Sequence, residues 1–355
     1  MRRIWALGIL LILLCLPAWA GADRPYDDDT VIITQSADRD VLALMTYIYD
    51  RVMLDMPIIE LPANTLYDDV NTAMEALTRA YPELCHVSNR WSVNYYRDKP
   101  EIAVSLEPEY LDTFSMDALV PVALSVAGEA VGSQTEKAEL LHDWLCERVT
   151  YDMSGGHTAS AYGAIVSGWA QCEGYAKALV LLYRMAGISS GVVTGYFYDD
   201  RTGGGPHAWV VARIDGVNTL IDPTADDSIE QTVTHWYYGL TDAQMALDHT
   251  PDAGSVIPAC VLESVNWHAR RGLLLQSMGD MNALLRQMTV SREPIEFRFA
   301  DQKLFQAFYG QLDQLIDDYN AAAPWEEQFY GRYLMWFCPE QNGGRLAWGS
   351  HDYQE

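Results

Sequence analysis

The chain has 355 residues, 49% of them apolar, with 23 basic against 49 acidic residues and a net charge of −26 at pH 7. That length suits a core domain with flanking regions, and the acidic balance makes nucleic acid and anionic membrane surfaces poor partners. The charge is spread along the chain, with Asp27-Asp28-Asp29 as its run, the pattern of a solvated surface.

Met1-Arg2-Arg3, the apolar stretch Ile4 to Leu16 and Ala18-Trp19-Ala20 have the layout of a cleaved secretory signal: a charged start, an apolar run and a small-x-small site. The run is shorter than the ~20 residues that span a bilayer and is broken by Pro17, which argues against a retained anchor. Cys15 follows Leu14, not a small residue, which argues against lipid attachment. No later segment is apolar enough to span a membrane. Cleavage after residue 20 leaves 335 residues, 21 basic against 49 acidic, and so an exported protein of net charge −28. Five cysteines then remain: Cys85, Cys146, Cys172, Cys260 and Cys338. An odd number outside the cytoplasm leaves at least one thiol free unless it joins two chains, and spacing does not fix how the other four pair.

In the N-terminal region, residues 21–128, the pattern gives helices from Asp38 to Met56 and Leu66 to Tyr81, then strands from Trp91 to Tyr96 and Glu101 to Glu107. In the central region, 129–251, the stretch Ala161 to Gln171 is rich in small residues without periodicity and reads as a loop. From Cys172 the pattern changes, with Tyr175, Leu179, Leu182 and Met185 on one face at helical spacing and Gly187 as the stop. A strand, Gly191 to Tyr198, and a Gly-rich loop, Gly203 to Pro206, lead to a second strand, His207 to Ile214. Asp215-Gly216 is a two-residue hairpin signal. With Ile214 opposite Val217, the return strand Val217 to Asp222 puts Asp222 across from Trp209, on the face of His207 and diagonal to it. Diagonal neighbours lie about 7–8 Å apart at the backbone, within reach of an imidazole–carboxylate hydrogen bond, and a one-residue slip would separate them.

The C-terminal region, 252–355, gives a helix (Arg270 to Met288), a strand (Ile295 to Phe299), a helix (Gln302 to Asn320) and a strand (Gln328 to Phe337). Met56-Pro57-Ile58-Ile59-Glu60-Leu61 and Glu293-Pro294-Ile295-Glu296-Phe297 hint at a repeated helix–strand–helix unit. The aromatic tail, Trp325, Phe329, Tyr330, Tyr333, Trp336 and Phe337, is expected in a core.

A thiol at the first turn of a helix faces unpaired N–H groups and the positive end of the macrodipole, both of which favour thiolate. Cys172, His207 and Asp222 therefore stand in the order and context of a nucleophile, its base and the base's orienter. Among rival bases, His142, beside Glu139, Asp143 and Trp144, reads as a solvated helix-face residue, and His157 as a surface residue of a loop near the cleft. His86, His235, His249 and His268 show no cysteine or carboxylate at metal-ligand spacing, so no metal is called for. Gly203-Gly204-Gly205 lacks the helix and Lys-Ser/Thr of a phosphate-binding loop.

The words Ala161-Tyr162-Gly163-Ala164, Cys172-Glu173-Gly174-Tyr175-Ala176-Lys177-Ala178, Gly187-Ile188, His207-Ala208-Trp209 and Asp222-Pro223-Thr224 together resemble the transglutaminase-like superfamily, papain-related cysteine enzymes, and in particular its secreted bacterial members. A helix from Thr135 to Val149 ending in Tyr151-Asp152 belongs to the same resemblance, which covers roughly residues 130–230, and Tyr81-Pro82-Glu83-Leu84 resembles the accessory region ahead of such cores. The resemblance implies an α+β fold, with a papain/transglutaminase-like core in which the nucleophile helix packs on an antiparallel sheet, flanked by two smaller α+β regions. It implies Cys172 as nucleophile, His207 as general base then acid, and Asp222 as the orienting carboxylate. Ala225 departs from the pattern, which often places a tryptophan there, and this alters the wall of the acyl pocket.

Those roles imply attack of the Cys172 thiolate on an amide carbonyl, a thioester, and release to water or an amine. The Cys172 backbone N–H is the expected oxyanion donor. Gln171, Tyr162, Trp169 and Trp209 are candidates for the second donor or the pocket wall. The expected substrates are extracellular peptides or proteins, cell-wall cross-links among them, with hydrolysis as the leading reaction and no cofactor. Protein cross-linking is one alternative, and a binding or scaffold module that keeps the fold without turnover is another.

Overall fold

A computed structural model describes residues 26–54, 56, 58–63, 65–96, 99–106, 113–198, 203–227, 232–291, 293–328 and 333–348. The signal-like segment 1–20 lies outside the described residues, as do Phe329 and Tyr330 of the aromatic tail.

Helix α1 (Arg39–Val52) begins where the Asp38 carboxylate accepts the Asp40 and Val41 N–H groups at 2.8 and 3.4 Å, satisfying donors that a helix start leaves unpaired. Strand β1 (Ile58–Glu60), helix α2 (Tyr67–Ala80) and the antiparallel strands β2 (Val87–Tyr96) and β3 (Lys99–Leu106) follow, in a sheet of order β1-β3-β2. Met45 and Ile48 of α1 and Val70, Met74 and Leu77 of α2 are buried in the same core as the central helix. Helix α3 (Thr113–Glu129), which the sequence pattern does not suggest, buries Leu119 and Ala123 there as well.

Helix α4 (Gln134–Arg148) opens with a reciprocal Ser133–Glu136 capping box. Two short parallel strands, β4 (Thr150–Tyr151) and β5 (Trp169–Ala170), lead into helix α5 (Cys172–Met185). The expected loop 161–171 instead holds a π-helical turn over Gly163–Ser167, a form found often at functional sites. The expected apolar stripe of α5 is also too narrow, because Gly174 to Arg184 are all buried. Its two internal cations are matched: Lys177 pairs with Glu173 at 3.0 Å, and Arg184 donates to Ser190 O and to Ala80 O, tying α5 to α2.

Helix α5 packs on a five-stranded antiparallel sheet of β6 (Ser189–Phe197), β7 (Gly205–Ile214), β8 (Val217–Ile221), β9 (Tyr238–Leu240) and β10 (His249–Pro251), in the order β10-β6-β7-β8-β9. Asp215 at φ 48° and Gly216 at φ 81° make the tight turn and set Ile214 opposite Val217, as expected. Strand alternation then divides β7 between two cores. Ala208, Val210, Ala212 and Ile214 join the core shared with α5, while Trp209 and Val211 join a second one with Val193, Leu220, Trp236 and Tyr237. The short helices α6 (Pro223–Asp226) and α7 (Asp242–Met245) connect the last strands.

The C-terminal region begins with α8 (Trp267–Arg271), β11 (Leu274–Leu275) and α9 (Met278–Ser291). The single helix expected from Arg270 to Met288 is thus broken, at Gly272 in the left-handed conformation (φ 68°). Strand β12 (Ile295–Phe299) is as expected, but the next helix divides at Gly310 into α10 (Gln302–Tyr309) and α11 (Leu312–Ala322). A hairpin of β13 (Tyr333–Cys338) and β14 (Gly343–Trp348) completes a sheet of order β11-β12-β14-β13 around a separate core containing Phe297, Phe299, Phe305 and Phe308. The hinted repeat has a topological counterpart. In both regions a 14-residue helix leads to a strand, then helix, then an antiparallel hairpin whose second strand pairs with the first strand of the unit.

Candidate active site

Cys172 is set in place by the β4–β5 ladder. Thr150 N–H donates to Gly168 O and Asp152 N–H to Ala170 O, both at 2.9 Å, and Gln171 N–H donates to Thr158 O at 2.9 Å. Two glycines let these segments touch: a Cβ on Gly174 would stand 2.2 Å from Thr158 O, and one on Gly163 2.5 Å from His157 O. Cys172 is half-buried at the start of α5, whereas the other four described cysteines, Cys85, Cys146, Cys260 and Cys338, are buried; all five are free thiols.

His207, near the start of β7, turns Nε2 to Asp222 Oδ2 at 2.7 Å. Cys172 lies close enough to the ring to help raise its pKa. Phe197 and Trp209 border the ring, with centroids at 5.3 and 6.3 Å. Strand β8 ends at Ile221, one residue earlier than expected, so Asp222 caps α6: its Oδ1 accepts the Thr224 and Ala225 N–H groups at 3.0 and 3.2 Å. The three candidate catalytic residues therefore come together, and the diagonal geometry expected for His207 and Asp222 is present. Burial disfavours the charged form of both, but the opposite charge prevails. It holds Asp222 well below the usual carboxylate range and, with Cys172, pushes His207 up to about 10.

The pocket candidates separate. Gln171 spends its N–H on Thr158, Tyr162 is half-buried with its ring edge-on to His157 at 5.7 Å, and Trp169 is 50% exposed. Trp209 is fully buried in the second core and forms no open pocket wall, because its strand position points it beneath the sheet. His157 is half-buried, and His142 is not a solvated helix-face residue. It is fully buried, with Nδ1 at 3.0 Å from Asp143 Oδ1, Nε2 at 3.2 Å from Asp226 Oδ2 and the Cys146 thiol at 3.8 Å. That second Cys–His–Asp grouping is closed off from solvent.

Asp143 Oδ1 also meets His235 Nε2 at 3.0 Å. Donor atoms of His142, Asp143 and His235 lie within 4.8 Å of one another, as do those of His207, Asp222 and His249, a spacing that a cation could share. Sequence spacing misses both groups because each takes members from distant elements, His235 joining the adjacent His142 and Asp143 of α4. In this structure each group is joined by hydrogen bonds.

Residues 124–221 match the profile of the Transglutaminase-like superfamily. Residues 124–221 form a transglutaminase-like domain. The match takes in Cys172 and His207 and stops one residue before Asp222. Among solved structures, the chain is similar to a cysteine protease candidate from Cytophaga hutchinsonii (17% identity, 38% of this chain and 61% of that one, TM-score 0.27). A TGase (15% identity, 47% and 50%, TM-score 0.27) and the periplasmic domain of TgpA from Pseudomonas aeruginosa (19% identity, 36% and 53%, TM-score 0.24) also match. The chain thus spans about half to three fifths of the length of these structures. No curated protein matches it. The fold is α+β, with helix α5 of the transglutaminase-like domain packed on an antiparallel sheet.

Two further residues lie beside Cys172, His207 and Asp222, and the sequence assigns neither to the site. Tyr151, 48% exposed, lies close enough to Cys172 and Asp222 that, after burial, their charges help raise its hydroxyl's pKa. His249, buried in β10, places Nε2 3.1 Å from Asp222 Oδ2 and Nδ1 2.6 Å from Asp248 Oδ1. The Asp248-His249 pair is visible in the sequence, but only the β6–β10 pairing brings it to the triad.

Proposed function

We propose that this protein is a cysteine enzyme that transfers the acyl group of a peptide or side-chain amide to water through a thioester on Cys172. The observation that carries the reading is the 2.7 Å contact of Asp222 with His207, whose ring lies beside Cys172, the one half-buried thiol among the described cysteines. Cys172 Sγ attacks the carbonyl carbon while the amide C–N bond breaks, and the His207 imidazolium gives its proton to the leaving amine. Water then attacks the thioester, His207 takes its proton, and the carboxylic acid leaves as the thiolate is restored. The Cys172 N–H, free at the first turn of α5, faces the carbonyl oxygen as negative charge develops. Export by the signal-like segment 1–20 puts the enzyme among extracytoplasmic peptides, with 129–251 as catalytic core and 21–128 and 252–355 as accessory regions.

An activated ester such as p-nitrophenyl acetate needs little recognition and tests the chemistry directly. The expected result is an acetyl group on Cys172, seen by peptide mass spectrometry, that is lost to water and is absent in Cys172→Ala. Transfer of that acetyl group to a labelled amine in preference to water would favour cross-linking chemistry, and absence of any adduct on Cys172 would overturn the proposal.

A further inference from the structure

The catalytic carboxylate is held from both sides. Asp222 Oδ2 meets His207 Nε2 at 2.7 Å and His249 Nε2 at 3.1 Å, and Oδ1 is filled by the α6 backbone. His249 does not end the line. Its Nδ1 lies 2.6 Å from Asp248 Oδ1; Tyr237 donates to Asp248 Oδ2 at 2.8 Å, and Gln341 Nε2 reaches both Asp248 oxygens at 3.1 Å. Arg298 of β12 in turn donates to Gln341 Oε1 at 2.6 Å. Asp222, His249, Asp248, Tyr237, Gln341 and Arg298 are all buried, so water does not compete for these contacts.

We infer that His249 is a positioning residue for the Cys172–His207–Asp222 site, and that the C-terminal sheet, through Arg298, Gln341 and Asp248, fixes its orientation. The inference rests on the proposed role of Asp222. A carboxylate that must hold His207 in one tautomer and orientation gains from a second donor that prevents its rotation. His249 sits between two carboxylates, a placement that favours its charged form against the opposing effect of burial. The ionisable groups facing it are Asp248 on its own segment, Asp222 beyond β8, His207 on β7 and Tyr237 before β9, with Cys338 behind Tyr237 and Arg298 behind Gln341. Its charge therefore lies next to the site where a Cys172 thiolate and a His207 imidazolium form, and its loss makes that pair harder to keep in mild acid. In this account the C-terminal sheet is part of the active site's support, although none of its residues touches the thiol.

The test is the rate of iodoacetamide labelling at Cys172 from pH 5 to 9, with urea unfolding as a check of the fold, for the native chain, His249→Leu, His249→Gln, Gln341→Leu and His207→Ala. His249→Leu should slow labelling at pH 7 roughly tenfold, and Gln, which keeps a donor toward Asp222, should recover part of that rate. Both should move the acid limb of the profile to higher pH, and Gln341→Leu should give a smaller change in the same direction. Variants that lose stability but keep the native profile would overturn the inference, since a merely structural role predicts that outcome. Native labelling in His207→Ala would overturn the triad reading itself, and this inference with it.

Discussion

His207 and Asp222 differ in how their environments treat charge, and that difference is measurable. His207, raised to about 10 by Asp222 and Cys172 against burial, binds its proton more tightly folded than unfolded. Its contribution to stability is complete below the ordinary histidine value of 6.5 and is lost as pH rises through about 10. Asp222 is depressed, so its contribution is present above its ordinary value of 3.8 and is lost as pH falls toward the folded value. Urea titrations should accordingly show the largest stability gap between the native chain and His207→Ala from about pH 4 to 6.5, closing by about pH 11; a gap constant from pH 4 to 11 would contradict this assignment. The order Cys172, His207, Asp222 was readable from sequence because each sits at an element boundary with a local signature. His249 was not, since its neighbour across β6 is fixed by strand pairing alone.

At the scale of elements, short-range signals were read well and long-range ones poorly. The Asp215-Gly216 turn fixed the β7–β8 register, and with it which face carries His207, because a two-residue turn leaves one pairing. Helix α3 escaped notice because Pro121 lies inside it and its apolar residues show no single stripe. His142 reads from sequence as a surface residue because its polar neighbours Glu139 and Asp143 mask a face that tertiary packing covers. The π-helical turn before Cys172 depends on close backbone approach at Gly163 and Gly174, which no periodicity reports. Gly174→Ala should therefore lower stability by about 1–3 kcal/mol in urea unfolding, since the new methyl meets the Thr158 carbonyl, and should slow Cys172 labelling by displacing the helix start. Native stability and labelling in that variant would show that α5 can shift without cost.

Over the whole molecule, the N-terminal helices share the core of α5, whereas the C-terminal sheet has its own core and meets the rest through apolar contacts, with Cys338 and Trp336 beside Trp236 and Tyr237, and through buried polar groups. Glu296 of β12 accepts the His235 backbone N–H at 2.9 Å and lies 2.8 Å from His268 Nε2. Burial works against its charge, yet the two histidines hold its carboxyl down at about 2. A depressed carboxylate stabilises the fold above its ordinary value and loses that contribution as pH falls through the folded one. Glu296→Gln should thus cost about 1–3 kcal/mol at pH 7, with the difference from the native chain shrinking toward pH 2 in urea unfolding. A pH-independent cost would mean that shape, not charge, joins the regions. The helix–strand–helix–hairpin order common to both flanks was only hinted at by the two Pro-Ile words, because topology is set by pairings between distant strands.

Activation of Cys172 by His207 is the step on which the proposed chemistry depends. It is tested most directly by following iodoacetamide labelling of Cys172 against pH by peptide mass spectrometry, in the native chain and in His207→Ala. An ordinary thiol is roughly 1% ionised at pH 6.5, so fast labelling of the native protein at that pH, lost in His207→Ala and reduced less in Asp222→Ala, is the predicted result. Labelling that is slow at pH 6.5 and rises only in alkali, alike in both proteins, would contradict the account and return Cys172 to a structural role.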